Sequence, residues 1–111
     1  MQKEAKILGL IGMAMKAGHV AGGGFAVEKM IQSGKAAAVI VAGDASENTK
    51  KQFRTKCEYY EVPYAVFSDK ETLGHAIGKE ERSSIALDDE GFANAIFKHL
   101  KSIGGNDIEN Q

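Results

Sequence analysis

Apolar residues near the start of the chain recur every three or four positions, the spacing of one face of an amphipathic helix. Ile7, Leu8, Ile11 and Met15 form this stripe, and Gly18 follows it as a stop signal. A short extended segment, His19 to Ala21, then leads into a run of three glycines at positions 22–24. The pattern predicts a first helix, a short strand and a tight glycine turn.

A second helical stripe follows the glycines, with Ala26, Val27, Met30 and Ile31 on one face and Gly34 at its end. Residues 37–42 then read Ala-Ala-Val-Ile-Val-Ala, with no polar residue between them. A short apolar run of this kind is typical of a strand that is buried on both faces. We therefore expect residues 37–42 to form a central strand of the sheet.

The second half of the chain repeats this alternation. Ser46 is placed to cap a third helix, whose apolar stripe is Phe53, Cys57 and Tyr60. An apolar strand from Tyr64 to Phe67 follows Pro63.

Ser68 and Glu71 have the spacing of a capping box and predict a fourth helix, which Gly78 ends. After the polar loop 79–82, a last strand spans residues 84–87. Asp88 or Asp89 caps a final helix that ends at Gly104-Gly105.

Helices that alternate with short, non-alternating strands indicate the α/β class. The expected architecture is a three-layer α/β/α sandwich around one mixed, roughly four-stranded sheet. With 111 residues the chain fits a single domain. We assign residues 1–103 to that domain and expect residues 104–111 to form a frayed polar tail.

Composition limits the class of protein. Hydrophobic residues make up 43% of the chain and charged residues 26%, and no apolar run reaches the roughly 18–20 residues of a membrane span. The one cysteine cannot form an internal disulfide, so we expect a reducing, cytoplasmic location. The net charge is −1, but residues 1–60 carry +4 and residues 61–111 carry −5. This asymmetry could give a basic face on a neutral protein, or it could be ordinary solvated charge.

No set of residues has the spacing of a catalytic or metal site. His19, His75 and His99 lie far apart and match no metal-ligand pattern. Cys57 belongs to an apolar stripe and is expected to be a buried structural thiol. The acidic run at residues 88–90 is better explained by a helix start. We therefore expect neither an enzyme nor a bound cofactor or metal.

The glycine turn is the strongest candidate for a binding site. Gly23 and Gly24 would let a ligand approach the backbone, and the N–H groups of the following helix would face it. Lys29, one turn inside that helix, could reach the same ligand. These features favour an anion such as phosphate, although a plain tight turn explains the glycines equally well.

Other polar and basic residues fall at the ends of the predicted elements. Because loops at one edge of an α/β sheet converge, they could surround the glycine turn. Phosphate contacts from such residues would give affinity with little choice of sequence. The candidates are Ser46, Lys50, Lys70, Lys79 and Arg82.

The order of several short motifs resembles the ribosomal protein L7Ae family, in particular its short bacterial ribosomal-protein-like members. The likeness extends over about residues 5–100. It rests on the spacing of Gly23 and Lys29, on Gly34-Lys35-Ala36, on the run from Val39 to Ala45, on Cys57-Glu58 followed by Val62-Pro63-Tyr64, and on the run from Leu73 to Gly78.

The resemblance implies the sandwich fold and binding to RNA kink-turns, sharply bent duplexes with an extruded base. It places the N-terminus of the second helix, residues 23–29, in the widened groove, and the loop 78–83 over the extruded base. Such RNA is recognised by shape and by exposed base edges. The implied partners are a kink-turn or ribosomal RNA and proteins of a ribonucleoprotein, with the chain itself monomeric and no membrane.

One pair of residues departs from the family pattern. Members usually have Asn-Glu or Lys-Gln at the positions of Phe25 and Ala26, or of Gly24 and Phe25 if the alignment shifts by one. Phe25 could stack on a base, or it could belong to the core. The departure leaves an alternative function open, a protein-interaction module that kept the fold and lost tight kink-turn affinity.

Overall fold

The computed structural model describes residues 2–103, which alternate between helix and strand as the sequence predicts. The elements, in chain order, are α1 (Gln2–Lys16), β1 (Val20–Gly22), α2 (Gly24–Gln32), β2 (Ala38–Val41), α3 (Glu47–Tyr60), β3 (Tyr64–Val66), α4 (Lys70–Ala76), β4 (Ser84–Leu87) and α5 (Glu90–Ser102).

The four strands form one mixed sheet in the order β1-β4-β2-β3. Strand β4 lies antiparallel to both of its neighbours, β1 and β2, whereas β3 lies parallel to β2. The expectation of a mixed, four-stranded sheet is therefore confirmed.

Strand β2 is fully covered. It is hydrogen-bonded to a strand on each side, and all four of its residues are buried. Its unbroken apolar sequence is explained by this position, because a polar side chain on either face would have to be buried there. The predicted central strand over residues 37–42 is confirmed, with regular structure from Ala38 to Val41.

Helices cover both faces of the sheet. On one face α1 contacts α4 and α5, and on the other α2 packs against α3. The helices turn most of their predicted apolar residues inward, as Ile7 and Ile11 of α1 and Val27 and Ile31 of α2 show. The result is the expected three-layer α/β/α sandwich, with the buried apolar residues forming one hydrophobic core around the sheet.

Side-chain caps begin three of the helices. Ser46 caps α3 and Asp89 caps α5, as the sequence predicts. The predicted Ser68–Glu71 capping box is wrong, because Asp69 caps α4 by accepting a hydrogen bond from the Thr72 N–H at 2.8 Å. Ser68 instead has a φ of 63° in the turn before the helix, where its carbonyl accepts a hydrogen bond from the Gly43 N–H.

Two further expectations concern the C-terminal ends of α3 and α5. The sequence pattern places Tyr60 on the buried stripe of α3, but this expectation is wrong. Its side chain is 40% exposed and packs edge-to-face on Tyr59. Only Phe53 and Cys57 of that stripe are buried, because α3 is in its last turn at Tyr60 and the chain turns away at Glu61. The predicted stop at Gly104-Gly105 and the frayed tail lie outside the described residues.

The loop between α4 and β4 lies directly on α4. The N–H of Lys79 and the carbonyl of Gly74 are hydrogen-bonded at 2.8 Å. A methyl group at Gly74 would overlap the backbone carbonyl of Glu80. Gly74 is therefore the residue that allows this loop to close on the helix.

Cys57 provides a test of the core between α3 and the sheet. Its side chain is buried, and burial raises the pKa of the thiol to about 12. We expect the native protein to react far more slowly with a thiol reagent than the unfolded chain does, because the reagent cannot reach the buried sulfur and little of the thiol is ionised. Cys57→Ser should lower the free energy of unfolding by about 1–3 kcal/mol, since an unpaired hydroxyl would be buried. Rapid labelling of the native protein would contradict this assignment.

Gly74 and Gly9 form a matched pair of helical glycines for a second test. Gly74→Ala should lower the free energy of unfolding by about 1–3 kcal/mol, because the added methyl group has no space. Gly9 is exposed in α1 with no atom near an added Cβ, so Gly9→Ala should raise it by about 0.5–1 kcal/mol. Denaturant unfolding of both variants measures the difference. Equal changes in the free energy of unfolding for the two variants would show that the packing of the loop on α4 does not require a glycine at position 74.

Candidate functional site

One edge of the sheet gathers most of the predicted site residues. Strands β1, β2 and β3 end there at Gly22, Val41 and Val66, and β4 begins there at Ser84. The glycine turn, the loop into α3, the loop into α4 and the end of the loop before β4 therefore meet. We call this the glycine-turn edge.

The glycine turn is held tightly against β4. The Gly23 N–H donates a hydrogen bond to the Ser84 carbonyl at 2.9 Å, and Gly23 has a φ of 97°, which favours glycine. The side chain of Arg82 lies along the turn, with its Cδ 3.8 Å from where a Cβ of Gly23 would stand. The expected convergence of Arg82 and the glycine turn is thus present in the structure.

Helix α2 differs from the other helices at its N-terminus. Among the helices whose N-caps the structure describes, α3, α4 and α5 each have a capping side chain, whereas α2 begins at Gly23 without one. Its first helical hydrogen bond joins the Val27 N–H to the Gly23 carbonyl. Within residues 2–103 the N–H groups of Gly24, Phe25 and Ala26 have no acceptor, so three donors are left at this edge.

Phe25 stands at the same helix end and points into solvent. Its side chain is 82% exposed, which rules out the interpretation that it belongs to the core. Lys29, also exposed, follows four residues later and lies on the same face of α2. Phe25 and Lys29 are therefore neighbouring exposed positions on one face of α2, and Phe25 lies at the end that carries the three free donors.

Lys70 and Arg82 are tied together through the backbone. The Arg82 N–H donates to the Lys70 carbonyl at 3.0 Å, and the Lys70 N–H donates to Oδ1 of Asp44 at 2.9 Å. The sequence analysis included Asp44 in the run from Val39 to Ala45 but did not name it as a site residue. Its position just after a buried strand was the available signal, since polar residues at strand ends meet at one edge of a sheet.

Three other predicted residues are engaged in local structure or stand apart. The hydroxyl of Ser46 accepts the Thr49 N–H and donates to Oγ1 of Thr49. The ammonium of Lys50 pairs with Glu47 at 3.3 Å and its side chain is largely buried. Lys79 is exposed, but its backbone is bonded to the last turn of α4 rather than to the glycine turn.

The described residues show no arrangement typical of a catalytic centre. Within residues 2–103 no three His, Cys, Asp or Glu side chains could hold a metal ion. His19 pairs with Asp88 at 2.8 Å, and His75 is exposed on α4. The pKa of Asp69 is lowered mainly by the hydrogen bond from the Thr72 N–H, in keeping with its role as a cap. No described helix is both long and apolar enough to span a bilayer.

Comparison with known proteins links this arrangement to one family. Residues 5–97 match the sequence profile of the ribosomal protein L7Ae/L30e/S12e/Gadd45 family. The chain is 42% identical over 91 residues to a Bacillus subtilis protein named RNA-binding protein YlxQ, an alignment that spans 82% of this chain and 91% of that one. It is 45% identical over 89 residues to the Enterococcus faecium protein of the same name, spanning 79% and 84%.

Two solved structures have similar folds. A Bacillus halodurans protein with unknown function superposes with a TM-score of 0.84 at 37% identity, covering 87% of this chain and 98% of that one. The Giardia lamblia 15.5kD RNA binding protein superposes with a TM-score of 0.77 at 21% identity, covering 93% and 88%, and supports the fold alone.

Proposed function

The chain belongs to the ribosomal protein L7Ae/L30e/S12e/Gadd45 family, and we propose that it is a non-catalytic protein that binds structured RNA of the kink-turn type at the glycine-turn edge. The observation that carries the proposal is the uncapped N-terminus of α2, which leaves three backbone donors facing solvent. The names of the Bacillus and Enterococcus relatives support RNA as the ligand.

The helix end suits the sugar-phosphate backbone and base edges of a distorted duplex. Its N–H groups and the positive end of the helix dipole attract an anion, and Gly23 and Gly24 allow close approach. The guanidinium of Arg82, packed along the same turn, adds a charge that can contact a phosphate. Shape and backbone donors of this kind recognise a bent RNA rather than a base sequence.

Phe25 gives the edge a contact that the usual polar pair of the family does not. An exposed ring beside a helix N-terminus can stack on an unpaired base, and a kink-turn has an extruded base. Lys29 stands one helical turn away on the same face, where it can neutralise the phosphate of the stacked nucleotide. We assign base stacking to Phe25 and charge neutralisation to Lys29 and Arg82.

The same exposed ring favours a second function. A large apolar side chain in solvent is also typical of a protein-interaction surface. The chain would then have kept the family fold and lost tight affinity for kink-turns. Lys29 and Phe25 variants distinguish the two functions, because only the RNA-binding function predicts that both variants lose affinity for a kink-turn.

Lys29→Ala should weaken binding to a kink-turn RNA by about 1–3 kcal/mol, the range for hydrogen bonds to charged groups. It should also lower the slope of log affinity against log salt by about one phosphate contact. Fluorescence anisotropy across a salt series measures both quantities. Lys16→Ala is the matched control, because Lys16 is exposed at the end of α1, away from the glycine-turn edge. Equal affinity of wild type and Lys29→Ala at every salt concentration would exclude this site.

Phe25→Ala should weaken binding to the kink-turn by about 1–3 kcal/mol, the range for one aromatic ring stacked on a base. The loss should be smaller for a plain duplex, which has no extruded base. Tyr59→Ala is the control, because Tyr59 is 80% exposed at the opposite end of α3. Both variants should keep the wild-type melting temperature. Unchanged kink-turn affinity in Phe25→Ala would support the interaction-module function instead.

A further inference from the structure

A groove lies at the end of the sheet opposite the glycine-turn edge. It has a volume of about 480 Å³ and is bounded by α5 and by the segments that lead into β2 and β3. Its apolar surface comes from Ala37, Ala38, Pro63, Ala93 and Phe97. None of these residues contributes to the proposed RNA site, so the groove calls for an occupant of its own.

One wall of this groove is polar and cationic. Asn94, Lys98 and Lys101 line it from α5 at intervals of four and three residues, which places them on one face of the helix. All three are exposed, and within residues 2–103 neither lysine has a carboxylate partner. An apolar floor beside two unpaired positive charges fits an acidic segment that carries a large apolar side chain. RNA fits less well, because the aromatic ring of the floor, Phe97, is 6% exposed and offers little surface for stacking.

The C-terminal end of α3 presents a segment of this chemistry. Tyr59 is 80% exposed and Tyr60 is 40% exposed, and their rings pack edge-to-face with centroids 4.9 Å apart. Glu58 and Glu61 flank the two tyrosines, both are exposed, and neither has a cationic partner among the described residues. Tyrosine is enriched at protein interfaces, because its ring contributes apolar area and its hydroxyl forms a hydrogen bond.

This aromatic segment and the groove lie beside each other. Only Glu61 and Val62 separate Tyr60 from Pro63, which lines the groove. The exposed ring of Tyr59 does not fill the groove of its own chain. When a protruding segment and a complementary groove share one end of a molecule, a twofold axis at that end lets each copy fill the groove of the other, and the assembly closes as a dimer.

We propose that two copies of this chain form a weak symmetric dimer, in which Tyr59 of each copy enters the groove of the other. The two glutamates that flank the tyrosines then face the two lysines of the groove, so opposite charges meet at both contacts. Because each contact consists of one ring and a few charged side chains, the dimer forms at high protein concentration and dissociates on dilution. At the low concentrations of an RNA-binding measurement the chain is the monomer that the family resemblance implies.

The dimer leaves the proposed RNA site open. The contact lies at the end of the sheet opposite the glycine-turn edge, so each copy keeps its own turn exposed. The dimer would therefore present two such edges on one particle. The proposal does not depend on what the glycine-turn edge binds, since no residue is shared between the two surfaces.

Sedimentation equilibrium over a concentration series tests the dimer. The wild-type chain should change from monomer to dimer as its concentration rises toward about 1 mM, and added salt should weaken the dimer. The charge reversal Lys98→Glu with Lys101→Glu should stay monomeric, because it brings like charges together at both contacts. The reversal Glu58→Lys with Glu61→Lys should stay monomeric for the same reason.

An equimolar mixture of these two charge-reversed variants should dimerise again. In the mixed dimer the reversed groove of one variant faces the reversed segment of the other, and two unchanged surfaces meet at the second contact. Tyr59→Ala should remove the dimer without a change in charge. Met13→Ala is its control, because Met13 is also exposed, at 59%, but lies on α1 outside both surfaces.

Three results would overturn the proposal. The first is a wild-type chain that stays monomeric at about 1 mM. The second is a wild-type dimer that the charge-reversed variants retain, or that their mixture fails to form, because the contact would then lie elsewhere. The third is a loss of kink-turn affinity in the Lys98 and Lys101 variant, which would assign the groove to RNA. Melting temperatures in dilute solution should match the wild type and show that each variant is folded.

Discussion

Strand β4 determines where everything else in this molecule lies. It is last in sequence but stands between β1 and β2, so it must satisfy the backbone groups of both neighbours. Its ends also hold the flanking loops: Ser84 accepts the Gly23 N–H at one end, and Leu87 accepts the Ala37 N–H at the other. Because buried backbone groups need partners, these bonds fix both the glycine turn and the entrance to β2. The glycine turn and the entrance to β2 are therefore at opposite ends of the same strand.

The spacing of apolar residues along the chain predicted most of the elements, because it follows which side chains are buried. The short, unbroken apolar run of β2 fits a strand that is covered on both faces, and the spacing of Ile7 and Ile11 fits one buried face of a helix. The errors occur where neighbouring residues compete for one role. Ser68 and Asp69 could both cap α4, and the choice depended on the left-handed turn that binds Gly43. That turn exists only once β3 and the loop after β2 are in place, so the sequence around Ser68 could not decide it.

The site was predictable only in part, for a similar reason. The glycine run indicated the turn, and sheet topology brought Arg82 to it, as the clustering of loop ends suggested. The orientation of Phe25 was not predictable, because a phenylalanine in the first turn of an amphipathic helix can face the core or the solvent. Asp44 was not assigned to the site because its partner is a backbone N–H, that of Lys70, and such a bond leaves no complementary residue in the sequence.

The uncapped start of α2 has a physical cost that the rest of the fold offsets. A capping side chain is worth about 1 kcal/mol, and α3, α4 and α5 each have one. That value is relative to alanine; glycine at the N-cap costs only about a few tenths of a kcal/mol, and it places no side chain between the helix end and a ligand. The fully buried β2 supplies stability that does not depend on this turn. A net charge near zero does not exclude an anion site there, because the free N–H groups and the Arg82 side chain along the turn act at short range, whereas the net charge is spread over the whole surface.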